Sequence, residues 1–139
     1  MSRTHVPADL RRLVRERARD CCEYCGLPED FSFASHEVEH IIALKHRGET
    51  EPENLALACT LCNKHKGSDL VSIDPDSKEL VPLFHPRQQA WTDHFRLLHS
   101  GEIEARTLTG RVTVMLLQLS RRERIEERQL LIEAGVLNV

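Results

Sequence analysis

The sequence predicts an α+β fold in which a small strand–loop–strand–helix core is held by a zinc ion and flanked by helices. Three observations support this prediction. Two C-x2-C pairs, Cys22/Cys25 and Cys59/Cys62, bracket the first half of the chain. The apolar pattern between the pairs is typical of two short strands. The segments before the first pair and at the end of the chain have the spacing of helices.

The composition is that of an ordinary soluble domain. The chain has 139 residues, of which 40% are hydrophobic and 29% are charged, so it can bury a moderate core. We therefore expect residues 1–139 to form a single domain. Nothing resembles a signal peptide or a membrane span, which predicts a cytoplasmic protein without a membrane partner. In that compartment paired cysteines are more often metal ligands than disulfides.

The net charge gives little support for strong nucleic-acid binding by the whole surface. It is −3, with a pI near 6.2, so a nucleic-acid contact would need a local basic face. Two stretches qualify, and either can equally be a solvated, salt-bridged helix face. The first contains Arg11, Arg12, Arg15, Arg17 and Arg19. In the second, Arg121, Arg122, Arg124 and Arg128 alternate with Glu123, Glu126 and Glu127, which favours the salt-bridged alternative.

The elements of the first half follow in order. Residues 7–19 predict a helix, because Pro7 suits a first helical turn and Leu10, Leu13 and Val14 share one side. The helix leads into the first cysteine knuckle, where Gly26 can supply the positive φ of a tight turn. After an irregular stretch, the predicted segments are a strand over 38–44, a loop over 46–54, a return strand over 55–58, and a short helix beginning at 63–67.

The second half has weaker signals. Asp74-Pro-Asp-Ser predicts a turn, and residues 80–84 predict an edge or irregular strand because Pro82 lies inside it. The remaining predictions are a helix over 86–95, a strand pair around 99–102, and helices over 110–119 and 121–134 that stop at Gly135.

The cysteine spacing predicts a structural zinc site. Thiolates about one turn apart can both reach one ion at about 2.3 Å, and two such pairs complete a closed tetrahedral site with no open position. The alternatives are four reduced thiols or a redox pair, but a redox C-x-x-C would occur only once. Cys21, the fifth cysteine, is expected to be an idle neighbour.

The dipeptide Glu39-His40 introduces a second kind of chemistry. On a strand, Glu37 shares the face of Glu39, and a bend at the strand end can bring His40 toward the same cleft. Two carboxylates beside a histidine offer an oxygen-rich metal site with a candidate general base. Alone, this pattern is weak evidence for a site. Exposed carboxylates beside a histidine that is hydrogen-bonded within the fold would have the same sequence.

Taken as one string, the central residues resemble the HNH endonuclease family. The resemblance rests on Glu37-x-Glu39-His40-Ile41-Ile42, then Asn54-Leu55, then Cys59-x2-Cys62-Asn63-x2-Lys66-Gly67, preceded by Cys22-Glu-Tyr-Cys25-Gly26. It is dense over about residues 17–70. It implies a ββα-metal (HNH) core with a four-cysteine zinc site, onto which residues 71–139 would pack.

The resemblance also implies a role for each matched residue. His40 lies where the family has the general base, Glu39 and Asn63 where it binds one divalent cation, and Asn54 where it braces the loop or orients the base. Lys66 would share a helix face with Asn63 and contact phosphate. Whether Glu37 ligates the cation or only supports the site stays open.

Two departures from the family pattern affect the expected cation. The third position is Asn63 instead of a second histidine, and Gly67 lies four residues later, where some members have a histidine. Mainly oxygen ligands remain, which favour Mg²⁺ or Mn²⁺ over Zn²⁺ at the catalytic site. The leading acid is Glu39, whereas aspartate is commoner.

The resemblance therefore implies a metal-dependent nuclease that hydrolyses DNA phosphodiester bonds and leaves 5′-phosphate and 3′-hydroxyl ends. Two alternatives stay open: a non-catalytic zinc-knuckle module that binds nucleic acid or protein, and a nuclease fold without activity. Glu39, His40 and Asn63 at family spacing distinguish the nuclease from the simple module.

Overall fold

The computed structural model describes residues 5–139, which form five α-helices and six strands in three two-stranded antiparallel sheets. The mixed helix and strand architecture confirms the predicted α+β class. The chain divides into two compact units, Met1–Lys64 and His65–Val139. The prediction of one domain over 1–139 stays a prediction, and each unit is described by itself.

The first unit is a helix packed on a hairpin. Helix α1 spans Ala8–Ala18, strand β1 Glu37–His40 and strand β2 Leu55–Ala58, and helix α2 begins at Thr60 and ends at Lys66. The register pairs Glu37 with Ala58 and His40 with Leu55. The helix predicted over 7–19 and the return strand over 55–58 are confirmed.

A small apolar core joins α1 to β2. Val14, Leu55 and Leu57 are fully buried with Val6. Burying one such aliphatic side chain contributes roughly 1.5–3 kcal/mol, which is substantial for so small a unit. The core holds the hairpin, and the hairpin in turn carries the residues that resemble the family motif.

The strand predicted over 38–44 is wrong beyond His40. There the chain leaves the ladder because Asn54 takes over its hydrogen bonds. The Ile41 N–H donates to the Asn54 carbonyl at 2.8 Å, and the Asn54 side chain binds both backbone groups of Ile42. Satisfied backbone groups have no need of a strand partner, so β1 ends at the acid–histidine pair.

In the second unit, strand β3, Val71–Ile73, pairs with β4, Leu80–Pro82. The short helix α3, Trp91–His94, leads into β5, Phe95–Leu97, which pairs with β6, Ile103–Ala105. Helices α4, Leu108–Leu116, and α5, Arg122–Glu133, complete the unit. The core gathers Val81, Leu83 and Val112, while Phe84 meets Phe95 edge-on with ring centroids 5.3 Å apart.

Three predictions for this unit need correction. Strand β3 was not predicted, because Val71-Ser-Ile is too short a run to be distinctive. The helix predicted over 86–95 shrinks to Trp91–His94, because Ala90 is extended, with ψ 132°, and separates α3 from a turn over 86–88. Side chains cap this turn: the His85 N–H donates to the Gln89 side chain at 2.9 Å, and the Arg87 N–H donates to His85 Nδ1 at 3.2 Å.

The third correction concerns the C-terminal arginines, which are only partly a solvated face. Arg121 and Arg122 pair with Glu123 and Glu126 as expected. Arg124 and Arg128, however, are buried and donate to backbone carbonyls, Arg124 to Leu117 at 2.8 Å and Arg128 to Gly101 at 2.6 Å. Buried guanidiniums satisfied in this way act as structural ties.

An ion pair between a buried carboxylate and an exposed guanidinium links a turn to α4. Asp74 is fully buried and accepts two hydrogen bonds from the Arg111 guanidinium, at 2.7 and 2.9 Å. These bonds, helped by the Ser77 N–H, hold the pKa of Asp74 well below its usual range. A lowered native-state pKa stabilises the fold above the unfolded-state value of about 3.9, and this stabilisation is lost as the pH falls further.

We therefore expect the urea midpoint of the wild type to fall from pH 7 to pH 3, and to fall less in Asp74→Asn. The variant should already be less stable at pH 7, since it loses the charged pair. Fluorescence of Trp91, the single tryptophan, gives the midpoint. Asp76→Asn, at an exposed carboxylate that also meets Arg111, is the matched control. Equal pH dependence in Asp74→Asn and wild type would contradict the assignment.

Candidate metal centres and active site

Four cysteines form a closed cluster in the first unit. The Sγ atoms of Cys22, Cys25, Cys59 and Cys62 all lie within 4.8 Å of one another, and all four residues are buried. Cys25 Sγ and Cys59 Sγ are 3.7 Å apart. A tetrahedral zinc with bonds of about 2.3 Å separates its sulfur ligands by roughly 3.8 Å, so the geometry and the donor set both fit structural zinc.

Backbone N–H groups within each cysteine knuckle are directed at the sulfur of its first cysteine. The Cys25 N–H points at Cys22 Sγ and the Cys62 N–H at Cys59 Sγ, both at 3.5 Å. The first knuckle closes through a hydrogen bond of 2.9 Å from the Gly26 N–H to the Cys22 carbonyl, with Gly26 at φ +82°. The turn therefore needs a residue without a Cβ, as predicted.

Burial also explains why the cluster suits a cation. It raises the pKa of the Cys22 thiol well above its usual range, since a buried thiolate needs nearby positive charge. Cys21 lies outside the cluster, half-buried, with its Sγ 3.5 Å from the Arg19 carbonyl. Its position agrees with an idle neighbour.

The first knuckle is tied to the hairpin by Glu23. Its N–H donates to the Leu57 carbonyl at 2.8 Å, and its carboxylate accepts from the Leu57 N–H at 2.9 Å. The second knuckle opens α2, which places Asn63 directly after the last thiolate. The thiolate cluster and the family motif thus share one rigid framework.

Glu37 contacts Asn63. The Asn63 Nδ2 donates to Glu37 Oε2 at 2.7 Å, across 26 residues of sequence. Glu37 is exposed and Asn63 is half-buried. Because a carboxylate can only accept hydrogen bonds, this contact turns the Asn63 amide nitrogen toward Glu37 and its oxygen away from it.

Glu39 lies two residues further along β1, on the same face as Glu37 but buried, with 7% of its surface exposed. The hydroxyl of Tyr24 donates to Glu39 Oε2. Tyr24 lies inside the first knuckle and is 1% exposed. Neither a role for this tyrosine nor its contact was predicted. The spacing of a C-x2-C pair does not show where the side chains between the two cysteines point.

His40 ends β1 and faces the loop. Its Nε2 lies 2.8 Å from the Thr50 Oγ1. The imidazole is half-buried, and burial lowers the pKa of His40 from its usual value. A neutral imidazole with one nitrogen engaged can accept a proton at the other, so the arrangement suits a general base. Thr50 was not predicted, because threonines are common in polar loops.

The side-chain amide of Asn54 is fully hydrogen-bonded to the backbone of the loop that follows β1. It is 5% exposed, and its Nδ2 donates to the carbonyls of Ile42 and Glu49, each at 2.9 Å. Gly48 makes this packing possible. A Cβ there would lie 1.8 Å from the Ile42 carbonyl oxygen and 2.8 Å from Asn54 Nδ2.

The other residues near the motif differ in how far they are buried. Lys66, the last residue of α2, belongs to the second unit and is 2% exposed. His46 is exposed, as expected of a loop histidine. His36, in contrast, is 2% exposed, with Nε2 2.7 Å from the Leu27 carbonyl oxygen.

The basic stretch in and just after α1 stays largely exposed. Arg15 and Arg17 donate within the unit, to Glu29 at 2.9 Å and to the Leu55 carbonyl at 2.7 Å, and Arg11 donates to the Val6 carbonyl at 3.0 Å. Arg15 is half-buried, whereas Arg11, Arg12, Arg17 and Arg19 are exposed.

Among the described residues, 5–139, no group of three or more Cys, His, Asp or Glu other than the four-cysteine cluster has metal-ligand spacing. A cation near β1 would therefore depend on the amide oxygen of Asn63 as well as on carboxylates. The roles predicted for Glu39, His40, Asn54 and Asn63 stay predictions at this stage.

The fold and the cluster together define a ββα unit, in which an antiparallel strand pair runs into a helix through a cysteine knuckle that suits zinc. Residues 22–69, about a third of the chain, match the family model described as HNH endonuclease. This match confirms the predicted resemblance to that family. No curated protein and no solved structure shows a significant match. In the described part of the chain, no helix is both long and apolar enough to cross a bilayer.

Proposed function

We propose that the protein is a metal-dependent endonuclease that hydrolyses DNA phosphodiester bonds. One observation carries the proposal: within the matched segment, Glu39, His40 and Asn63 each meet a different polar side chain. The partners are Tyr24, Thr50 and Glu37. A zinc module without chemistry would have no need for three separately held polar side chains along one short strand and the helix that follows the hairpin.

His40 is the proposed general base. In the tautomer that suits this role, Nε2–H donates to Thr50 Oγ1 and Nδ1 carries the lone pair. Nδ1 takes a proton from a water molecule, whose oxygen attacks phosphorus. The bond from phosphorus to the 3′ oxygen then breaks, leaving a 5′-phosphate, and the released 3′ oxygen takes a proton from solvent to become the 3′-hydroxyl.

Glu39 and Asn63 are the proposed protein ligands of one divalent cation. Both offer oxygen atoms, which suit Mg²⁺ or Mn²⁺. Bound there, the cation would supply positive charge for the phosphate and the leaving 3′ oxygen. Glu37 supports the site by holding the amide nitrogen of Asn63, so that Oδ1 is the atom presented to the cation.

Asn54 and the thiolate cluster support the site without contacting the substrate. Asn54 closes the loop that carries Thr50, and the zinc-bound cysteines fix the start of α2, where Asn63 lies. The exposed arginines of α1 are the proposed contacts to DNA phosphates. Lys66 is not needed in this scheme, because its side chain is buried.

The test is cleavage of supercoiled plasmid by protein that retains zinc but has been dialysed free of other divalent metals. Mg²⁺ or Mn²⁺ should start cleavage, and the ends should be ligatable. Asn63→Ala should lower the rate at least about 100-fold, since losing even an outer support of a metal site costs 10–100-fold. Asn138→Ala, at an exposed asparagine, is the matched control.

A labelled RNA of the same sequence tests the choice of DNA. Cleavage of RNA alone would overturn the proposed substrate. Binding of plasmid without any metal-dependent cleavage would favour the zinc-knuckle binding module instead.

A further inference from the structure

We infer that Tyr24 is a positioning residue for the metal-dependent reaction: its hydroxyl donates to Glu39 and sets the carboxylate in the orientation that the catalytic cation requires. This inference rests on the proposed function, because it assigns a support to a ligand of the proposed cation.

The contact is buried and spans two elements. Tyr24 lies in the first knuckle and Glu39 in β1, 15 residues apart in sequence, and their side chains meet in the interior of the first unit. A carboxylate that is 7% exposed has lost most of its water. It therefore needs a protein donor, and a donor to a charged acceptor makes a short and directional hydrogen bond.

The direction of this hydrogen bond is fixed by chemistry. An ionised carboxylate can only accept hydrogen bonds, whereas a phenol carries a proton to donate. The phenol therefore donates, and Glu39 accepts through Oε2. A carboxylate has two oxygens, so one can accept from the phenol while the other ligates a cation.

The knuckle gives the phenol a fixed position. Tyr24 is flanked by Glu23, which is bonded to β2 through Leu57, and by Cys25, a member of the thiolate cluster. The backbone that carries the phenol is therefore held on both sides, and the ring itself is buried. Phenylalanine would fill nearly the same volume, so the structural part of the role survives Tyr24→Phe and only the hydrogen bond is lost.

The first experiment measures Mn²⁺ binding to the full chain with zinc bound, by the loss of the free-ion signal in electron paramagnetic resonance. Tyr24→Phe should raise the Mn²⁺ Kd about tenfold and raise the Mn²⁺ concentration for half-maximal cleavage by the same factor. The cleavage rate at saturating Mn²⁺ should change much less. Zinc content should stay at about one per chain.

Thr113→Val is the matched control. It removes another buried hydroxyl, one that accepts from the Phe84 N–H and donates to the Thr109 carbonyl in the second unit. It should destabilise the chain without changing the Mn²⁺ Kd. An unchanged Kd in Tyr24→Phe, with an active wild type, would overturn the inference and leave the proposed function intact.

A second measurement starts from the folded wild type, so it does not depend on whether Tyr24→Phe folds. The chain has one tyrosine, so the tyrosine doublet in ultraviolet resonance Raman spectra reports this hydroxyl alone. Adding Mg²⁺ should shift the doublet toward a weaker donor, because the cation draws electron density from Glu39. Glu39→Gln should abolish the shift.

An absent Mg²⁺ response in an active wild type would refute the positioning role, even if Tyr24→Phe lost its zinc. A wild type that neither binds Mn²⁺ nor cleaves DNA would instead refute the proposed function. The two failures are therefore distinct.

Discussion

Replacing His40 with alanine is expected to lower the rate of plasmid cleavage by about 10²–10⁴-fold, the usual contribution of a general base. The substitution removes the proton acceptor at the end of β1 but none of the proposed cation ligands. Mn²⁺ binding should therefore stay close to wild type while the cleavage rate at saturating metal falls. Gel densitometry at fixed enzyme and Mn²⁺ gives the two rates.

His46→Ala is the control for this prediction, because His46 is an exposed histidine six residues along the same loop. It should retain wild-type activity and also reports any contaminating nuclease carried through purification. Equal rates for His40→Ala and wild type would show that His40 is not the base.

Replacing Cys59 with serine should release the zinc and unfold the first unit. Closed thiolate sites contribute folding free energy on the order of 10 kcal/mol or more, which is comparable to the total stability of a domain. The four buried sulfurs converge on one point in the first unit. The small apolar core of that unit is not large enough to stabilise it without the metal. Zinc per chain, measured by elemental analysis, should fall from about one to near zero, with loss of helical circular dichroism.

Cys21→Ser provides a control with the same chemistry, since Cys21 lies outside the cluster and is half-buried. It should keep its zinc. Glu39→Ala should also keep zinc while losing metal-dependent cleavage, which separates the two metal centres. Full zinc retention by Cys59→Ser would rule out the four-thiolate site.

The sequence predicted most of the framework of the first unit because its signals are local. The C-x2-C spacing located both knuckles, and the short apolar run at 55–58 located β2. The end of β1 could not be found in this way, because it depends on Asn54 folding back onto Ile42, twelve residues earlier. The side chains Tyr24 and Thr50 escaped prediction for the same reason, since only the tertiary fold brings them to Glu39 and His40.

The second unit was harder to predict because its elements are short and depend on tertiary contacts. Ala90 is extended where a helix had been expected. The buried Arg124 and Arg128 look from the sequence like two more members of a charged helix face. Their carbonyl partners, at Leu117 and Gly101, lie in other elements, and a helical pattern carries no information about them.

The zinc clasp also has an electrostatic consequence. Four thiolates around one Zn²⁺ carry a net charge of minus two, which adds to the formal net charge of −3 for the chain. This charge lies beside Tyr24 and close to the proposed cation ligands. Loaded with zinc, the clasp would attract a divalent cation to its neighbourhood and repel a bare phosphate. Metal would then need to arrive before, or together with, the nucleic acid.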